Sequence, residues 1–97
     1  MSAKRGILLL EWSSEAEEDV VSIIGYIYAR NPEAARELLD LIDEKIAGLR
    51  VNARMYRKGR VSGTREMVIK RICVVIYEES DERVKVLRVL HTARKWP

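Results

Sequence analysis

The 97 residues read as β-α-α-β-β-β, an α+β domain whose N-terminal helical hairpin covers one face of an antiparallel sheet. Three observations predict it. The step Asn31-Pro32 divides two stretches whose apolar residues recur at helical spacing. Segments 64–70, 72–78 and 84–91 have strand length and are joined by links short enough only for hairpins. The apolar run 7–12 is long enough for a strand and too short for a helix. The whole of 1–97 is expected to be one domain, since a chain this short supports a single two-layer core.

The first strand, 7–12, stops at Ser13-Ser14, and either serine can cap a helix. Ser14 with Glu17 fits a capping box, while Ser13 sets Glu15, Glu17, Glu18 and Asp19 just inside the positive helix end. Ala16, Val20, Ile23, Ile24 and Ile27 then form one face of a helix that should run to about Ala29. Gly25 costs this helix about 1 kcal/mol relative to Ala, a cost that close helix packing would justify. Asn31 is placed to cap the second helix, with Pro32 as its first residue. Ala35, Leu38, Leu39, Ile42, Ile46 and Leu49 are its apolar stripe, and Glu37, Asp40, Asp43 and Glu44 its outward face.

Residues 50–63 have no sustained period and read as a basic loop. A long ordered loop in a small domain is usually functional or mobile. In segment 64–70, Arg65, Met67 and Ile69 alternate with Glu66, Val68 and Lys70. Lys70-Arg71 is the turn, 72–78 a central apolar strand, 79–82 a polar hairpin loop and 84–91 the last strand. That last strand carries apolar residues on both faces, so its period does not choose the face toward the helices. Residues 92–97 form a tail.

Composition is that of an ordinary globular protein: 47% apolar, 34% charged, 6% aromatic. A single cysteine, Cys73, excludes an internal disulfide and reads as a buried small hydrophobe. Four apolar residues after Lys4-Arg5 are too few for a signal peptide, and no run approaches the ~18 of a membrane span. The protein is expected in the cytoplasm. With one His and one Cys, and no Gly-rich phosphate loop, neither a metal site nor a cofactor is expected. The net charge of +3 is unevenly spread. Residues 1–50 carry 6 basic and 10 acidic side chains, and residues 51–97 carry 12 and 5. If the fold keeps the halves apart, the second presents a positive surface to an acidic partner.

Two polar pieces concentrate the candidate functional groups: Gly63-Thr64-Arg65-Glu66 and the closing run from Leu90 through His91, Arg94, Lys95 and Trp96. They read as strand ends meeting at one sheet edge, or as flanks of the 72–78 strand. Arg65 is an ion-pair partner or a forked anion receptor, and Glu66 an arginine's partner or a base. His91 is a structural strand-end residue or a proton exchanger. Tyr77 is a core-edge residue or an acid-base group, and Trp96 a lid or a stacking surface. A metal-free ribonuclease would need a base, an acid and cations. His91, Arg65, Arg88, Arg94 and Tyr77 supply those types without being shown to converge.

The set Glu11-Trp12, Tyr26-Ile27, Asn31-Pro32 with Ala34-Ala35, Gly59-Arg60-Val61, Gly63-Thr64-Arg65-Glu66, Val74-Val75-Ile76-Tyr77, Val89-Leu90-His91-Thr92-Ala93-Arg94 and Trp96-Pro97 resembles the RelE/ParE superfamily of bacterial type II toxins, more closely ParE. The resemblance spans nearly the whole chain and implies the same β-α-α-β-β-β order. It implies a toxin held by a cognate antitoxin that wraps the helical hairpin and sheet in a hetero-oligomer. ParE-like members poison DNA gyrase, and RelE-like members cleave mRNA on the ribosome without metal. The gyrase reading implies a target-binding surface from Arg60, Arg65, Glu66, His91, Arg94, Lys95 and Trp96. The nuclease alternative would use the His91 set, so catalysis stays open at this point. Two places depart from the family pattern: Asn52-Ala53 lacks a common proline, and Lys70-Arg71 is a shorter link than usual.

Overall fold

The computed structural model describes residues 7–92. In order, the elements are β1 (Leu9–Trp12), α1 (Ser14–Tyr28), α2 (Pro32–Asn52), β2 (Arg57–Lys58), β3 (Arg65–Ile69), β4 (Cys73–Glu79) and β5 (Arg83–His91). They make a five-stranded sheet of order β1-β5-β4-β3-β2 with both helices on one face. β3, β4 and β5 are the expected antiparallel meander. Two strands complete it: β2 pairs antiparallel with β3, and β1 runs parallel to β5, so the sheet is mixed. A parallel pairing needs a crossover, and here the helices are part of it.

Of the two serines, Ser13 is the cap: its hydroxyl accepts from Ala16 N at 2.9 Å. Asn31 Oδ1 accepts from Ala34 N at 3.1 Å, and Pro32 opens α2 as expected. The core lies between the layers. Ile23, Leu38, Ile42, Ile46 and Leu49 descend from the helices onto Met67, Ile69, Cys73, Val75, Tyr77, Val84, Val86 and Val89. Burial pushes the Cys73 thiol up to about 11, as an apolar pocket disfavours the thiolate.

β1 ends at Trp12, but β5 continues to His91, so the later part of β5 has an open edge. Side chains from α1 and its cap satisfy it. Ser13 Oγ donates to the Leu87 carbonyl at 2.7 Å, and Asp19 Oδ2 accepts from Val89 N at 2.9 Å. Beside this edge the β4–β5 register slips at Ile76/Tyr77: Tyr77 opposes Val86, but Ile76 opposes Arg88. One extra residue, Leu87, shifts the alternation, as a β-bulge does.

The turn Lys70-Arg71 closes the β3–β4 hairpin with Ile72 N donating to Ile69 O at 2.8 Å. Both residues have positive φ, 50° and 61°, the sign pattern of a type I′ turn, here without glycine.

Gly25 is not explained by close packing, since a Cβ there would meet nothing within 4 Å. Gly25→Ala is therefore expected to raise stability by about 1 kcal/mol. Thermal melting checks this, and an unchanged or lower Tm would show that the helix needs the glycine. Among the described residues, no helix is long and apolar enough to cross a membrane.

Candidate functional site

The register separates the two polar pieces. Arg65 opposes Tyr77 at one end of β4, and Cys73 at the other end opposes His91. Strand geometry then sets Arg65 and His91 about 13 Å apart along the sheet and about 10 Å across it. The expectation that these strand ends meet at one edge is therefore corrected, and the alternative holds: they flank the 72–78 strand, with β4 between them. In a three-strand meander the outer strands run in the same direction, which puts the start of one and the end of the other at opposite ends.

At the Arg65 end, the side chains tie down the loop after α2. Arg65 donates to the Tyr56 carbonyl at 2.7 Å and reaches Glu79 at 3.5 Å. Arg54 bridges Glu79 at 3.1 Å and Asp81 at 3.0 Å, which holds its guanidinium above its usual pKa. The Tyr77 hydroxyl donates to the Ala53 carbonyl at 2.5 Å. Burial pushes that hydroxyl up to about 12, so it stays protonated and serves as a peg for the loop. Glu66 is buried and accepts from Arg57 at 3.1 Å and from Arg60 N at 3.2 Å. Both its oxygens are occupied, as an arginine partner's would be.

At the other end, His91 is buried, and its ring meets Tyr26 of α1 edge-on at 5.5 Å between centroids. Arg30 lies 3.9 Å over the other aromatic partner, the Tyr26 ring. Arg88 is gripped by Asp19 through two hydrogen bonds, of 2.8 and 2.9 Å. The bond to Asp19 is the main reason its guanidinium stays above its usual pKa. Arg94, Lys95 and Trp96 lie outside the described residues. Among the described members of the nuclease set, then, Arg65 and Tyr77 oppose each other at one end of the sheet and hold the same loop, while Arg88 is held by Asp19 and His91 packs with Tyr26 at the other end.

The sheet face away from the helices carries a row of paired apolar residues, Val68, Val74 and Leu90, with Ile76 beside it. Val68 is 45% exposed. On the helical layer, Val20, Val21, Ile24, Gly25, Tyr28, Ala29 and Leu39 line an apolar groove of about 420 Å³. In the sequence, Val20, Ile24 and Leu39 belong to the core-facing stripes, and Val21 and Tyr28 belong to neither. Val21, 74% exposed and off the Ala16–Ile27 stripe, was the available signal. Asp19, Glu79 and Asp81, which commit most of the nearby arginines, gave no signal of their own among so many acids.

The model of the ParE toxin family, described as the ParE toxin of the type II toxin-antitoxin system parDE, matches residues 10–96. A Sinorhizobium fredii protein named "Putative toxin Y4kP" is 30% identical over 97 residues, covering 100% of this chain and 97% of its own. Among solved structures, the chromosomal ParDE toxin-antitoxin system from P. aeruginosa aligns with TM-score 0.77 at 20% identity, over 88% of this chain and 96% of that one. The RelBE2 toxin-antitoxin complex from Mycobacterium tuberculosis aligns with TM-score 0.59 at 20% identity, over 94% and 98%. At that identity the two structures speak for the fold.

Proposed function

This chain belongs to the ParE toxin family of type II toxin-antitoxin systems, and from that premise we propose that it stops replication by binding DNA gyrase until a cognate antitoxin neutralises it. The observation that carries the reading is the dispersal of the acid-base candidates. His91 packs under Tyr26 while Arg65 holds Tyr56 and Glu79 at the opposite end of the sheet. Base, acid and phosphate-binding cations must converge within hydrogen-bond reach of one phosphodiester for metal-free RNA cleavage. On the open sheet face Val68, Val74, Ile76 and Leu90 form an apolar patch, and the charged residues set opposite Ile76, Glu66 and Arg88, are already held by Arg57 and Asp19. Recognition is the chemistry this arrangement supports, with Arg60 exposed over Glu66 at one end of the sheet and Arg65 on the opposite face, held by Tyr56 and Glu79. The reading puts the toxin's action in the cytoplasm, where gyrase works. Purified toxin should inhibit supercoiling by gyrase at stoichiometric ratio and leave mRNA intact in a translating extract. Unchanged supercoiling at excess toxin would count against gyrase, and cut mRNA would restore the nuclease reading.

The antitoxin reading is supported by the partners in the two aligned complexes and by the groove on the helices. Its lining is aliphatic, so it fits the apolar stripe of an amphipathic segment. Val21→Asp puts a charge in this groove at a position 74% exposed. The variant should fold as the wild type does, yet bind the co-encoded antitoxin at least about tenfold more weakly, roughly 1.4 kcal/mol. Titration calorimetry on the pair checks it, and undiminished affinity would place the antitoxin elsewhere.

A further inference from the structure

The loop joining β2 to β3 is built more firmly than its surroundings require. Gly59 N donates to Thr64 O at 2.7 Å, while Thr64 N and Thr64 Oγ1 both donate to Val61 O, at 3.1 and 2.7 Å. The backbone passes so close at Gly59 that a Cβ there would lie 2.3 Å from Thr64 Oγ1, and Gly63 turns with φ +86°. Beneath the loop sits Glu66, its side chain only 9% exposed, with one oxygen on Arg60 N and the other on Arg57. Taking a carboxylate out of water is costly unless its hydrogen bonds are replaced. Here both replacements come from the hairpin, so the buried charge acts as a clasp. The segment it holds adds nothing to the core: Arg60 and Ser62 are exposed, and Val61 is 66% exposed.

The chemistry of the tip limits its partner. Arg54, Arg57 and Arg65 are committed to Glu79, Asp81 and Glu66. That leaves Lys58 and Arg60 as the cations of this region with no ion pair among the described residues. Two cations make too weak a field for a nucleic acid, whose affinity comes from many neutralised phosphates. Among the described residues of this region no exposed aromatic ring is offered for stacking either, since Tyr56 is half-buried. A bare valine between cations instead suits a protein surface. Because the loop is already ordered, docking would lose little conformational entropy. The tip projects at the β2 edge, across the sheet from β5 and the α1 side chains that seal it.

We propose that Arg60-Val61-Ser62 is a preformed docking tip with which this toxin enters a small apolar socket, rimmed by acidic side chains, on its protein target. The proposal rests on the reading that the toxin acts by binding a protein. It is tested by inducing the full-length chain in bacteria without antitoxin and counting colonies. Val61→Asp and Arg60→Glu change exposed side chains, so both should melt within a few degrees of wild type. Each is expected to restore colony counts at least tenfold over wild type, whereas Lys45→Glu, the same charge reversal on the exposed face of α2, should arrest growth fully. Folded tip variants that arrest growth as wild type does would overturn the proposal. So would variants that still arrest growth but escape a co-expressed cognate antitoxin, since the tip would then be the antitoxin's surface. A wild-type chain that leaves growth normal overturns this proposal and the gyrase reading together. Arrest by wild type, lost in the tip variants, with supercoiling unchanged throughout, would remove gyrase alone and put the socket on another protein.

Discussion

Asp19→Ala is expected to destabilise the fold by about 3 kcal/mol and to lower Tm by more than about 10 °C. One carboxylate serves three donors: two Arg88 nitrogens and the Val89 backbone N–H. Val89 is 1% exposed, so alanine leaves a buried N–H without its acceptor. That alone costs about 1–3 kcal/mol. The Arg88 pair contributes less than a fully buried pair would, because its side chain is 37% exposed and water screens it. Asp19→Asn keeps an oxygen for Val89 N but loses the charge and turns the other Arg88 acceptor into an NH2 donor, so it should cost less than alanine only by what the Val89 bond contributes. Denaturant unfolding measures all of these, and an Asp19→Ala cost below about 1 kcal/mol would mean the β5 edge is satisfied without it.

The second large effect has the opposite sign. Replacing Lys70-Arg71 by Asn-Gly is expected to stabilise the protein by about 1–2 kcal/mol. An L-residue with left-handed backbone costs roughly 1–2 kcal/mol, and two stand here in succession, at φ 50° and 61°. Asn-Gly adopts this turn readily, though glycine's freedom in the unfolded chain returns part of the gain. The bonds that Thr92 Oγ1 donates to the Arg71 and Ile72 carbonyls, 2.6 and 3.0 Å, use only backbone acceptors and survive the change. Arg71→Gly alone should supply most of the stabilisation. A loss of stability in the double variant would show that the two side chains hold the hairpin in a way the backbone angles do not reveal.

Much of the fold was legible in the sequence because local signals were strong. Asn31-Pro32 cut the helices in the right place, and the meander followed from its short links. The last strand resisted reading for a definite reason. Val84 and Val86 face the core on one phase, Val89 and His91 on the other, and the extra residue at Leu87 switches between them. Neither alternation was wrong; each governs half of the strand. The two-residue β2 has no length over which a period could appear, and β1 carries nothing that names a parallel partner. In the candidate site, residue types were readable and their placement was not. Which arginine stays uncommitted depends on Asp19, Glu79 and Asp81, which come from elsewhere in the chain and meet their partners only after folding. The separation of Arg65 from His91 was legible as the flanking alternative, since it follows from the antiparallel order alone.

The parallel pairing of β1 with β5 has a consequence for how the cell makes this protein. Leu9 pairs with Arg83, and Trp12 with Val86, so the first strand waits for the last. Loops of that length close late, and topologies rich in such distant pairings fold slowly. A nascent chain still being translated has neither its central sheet nor the β5 groups that receive Ser13 and Asp19. The protein therefore reaches its toxin fold only after β5 has been made. No chain that still lacks β5 carries the finished surface.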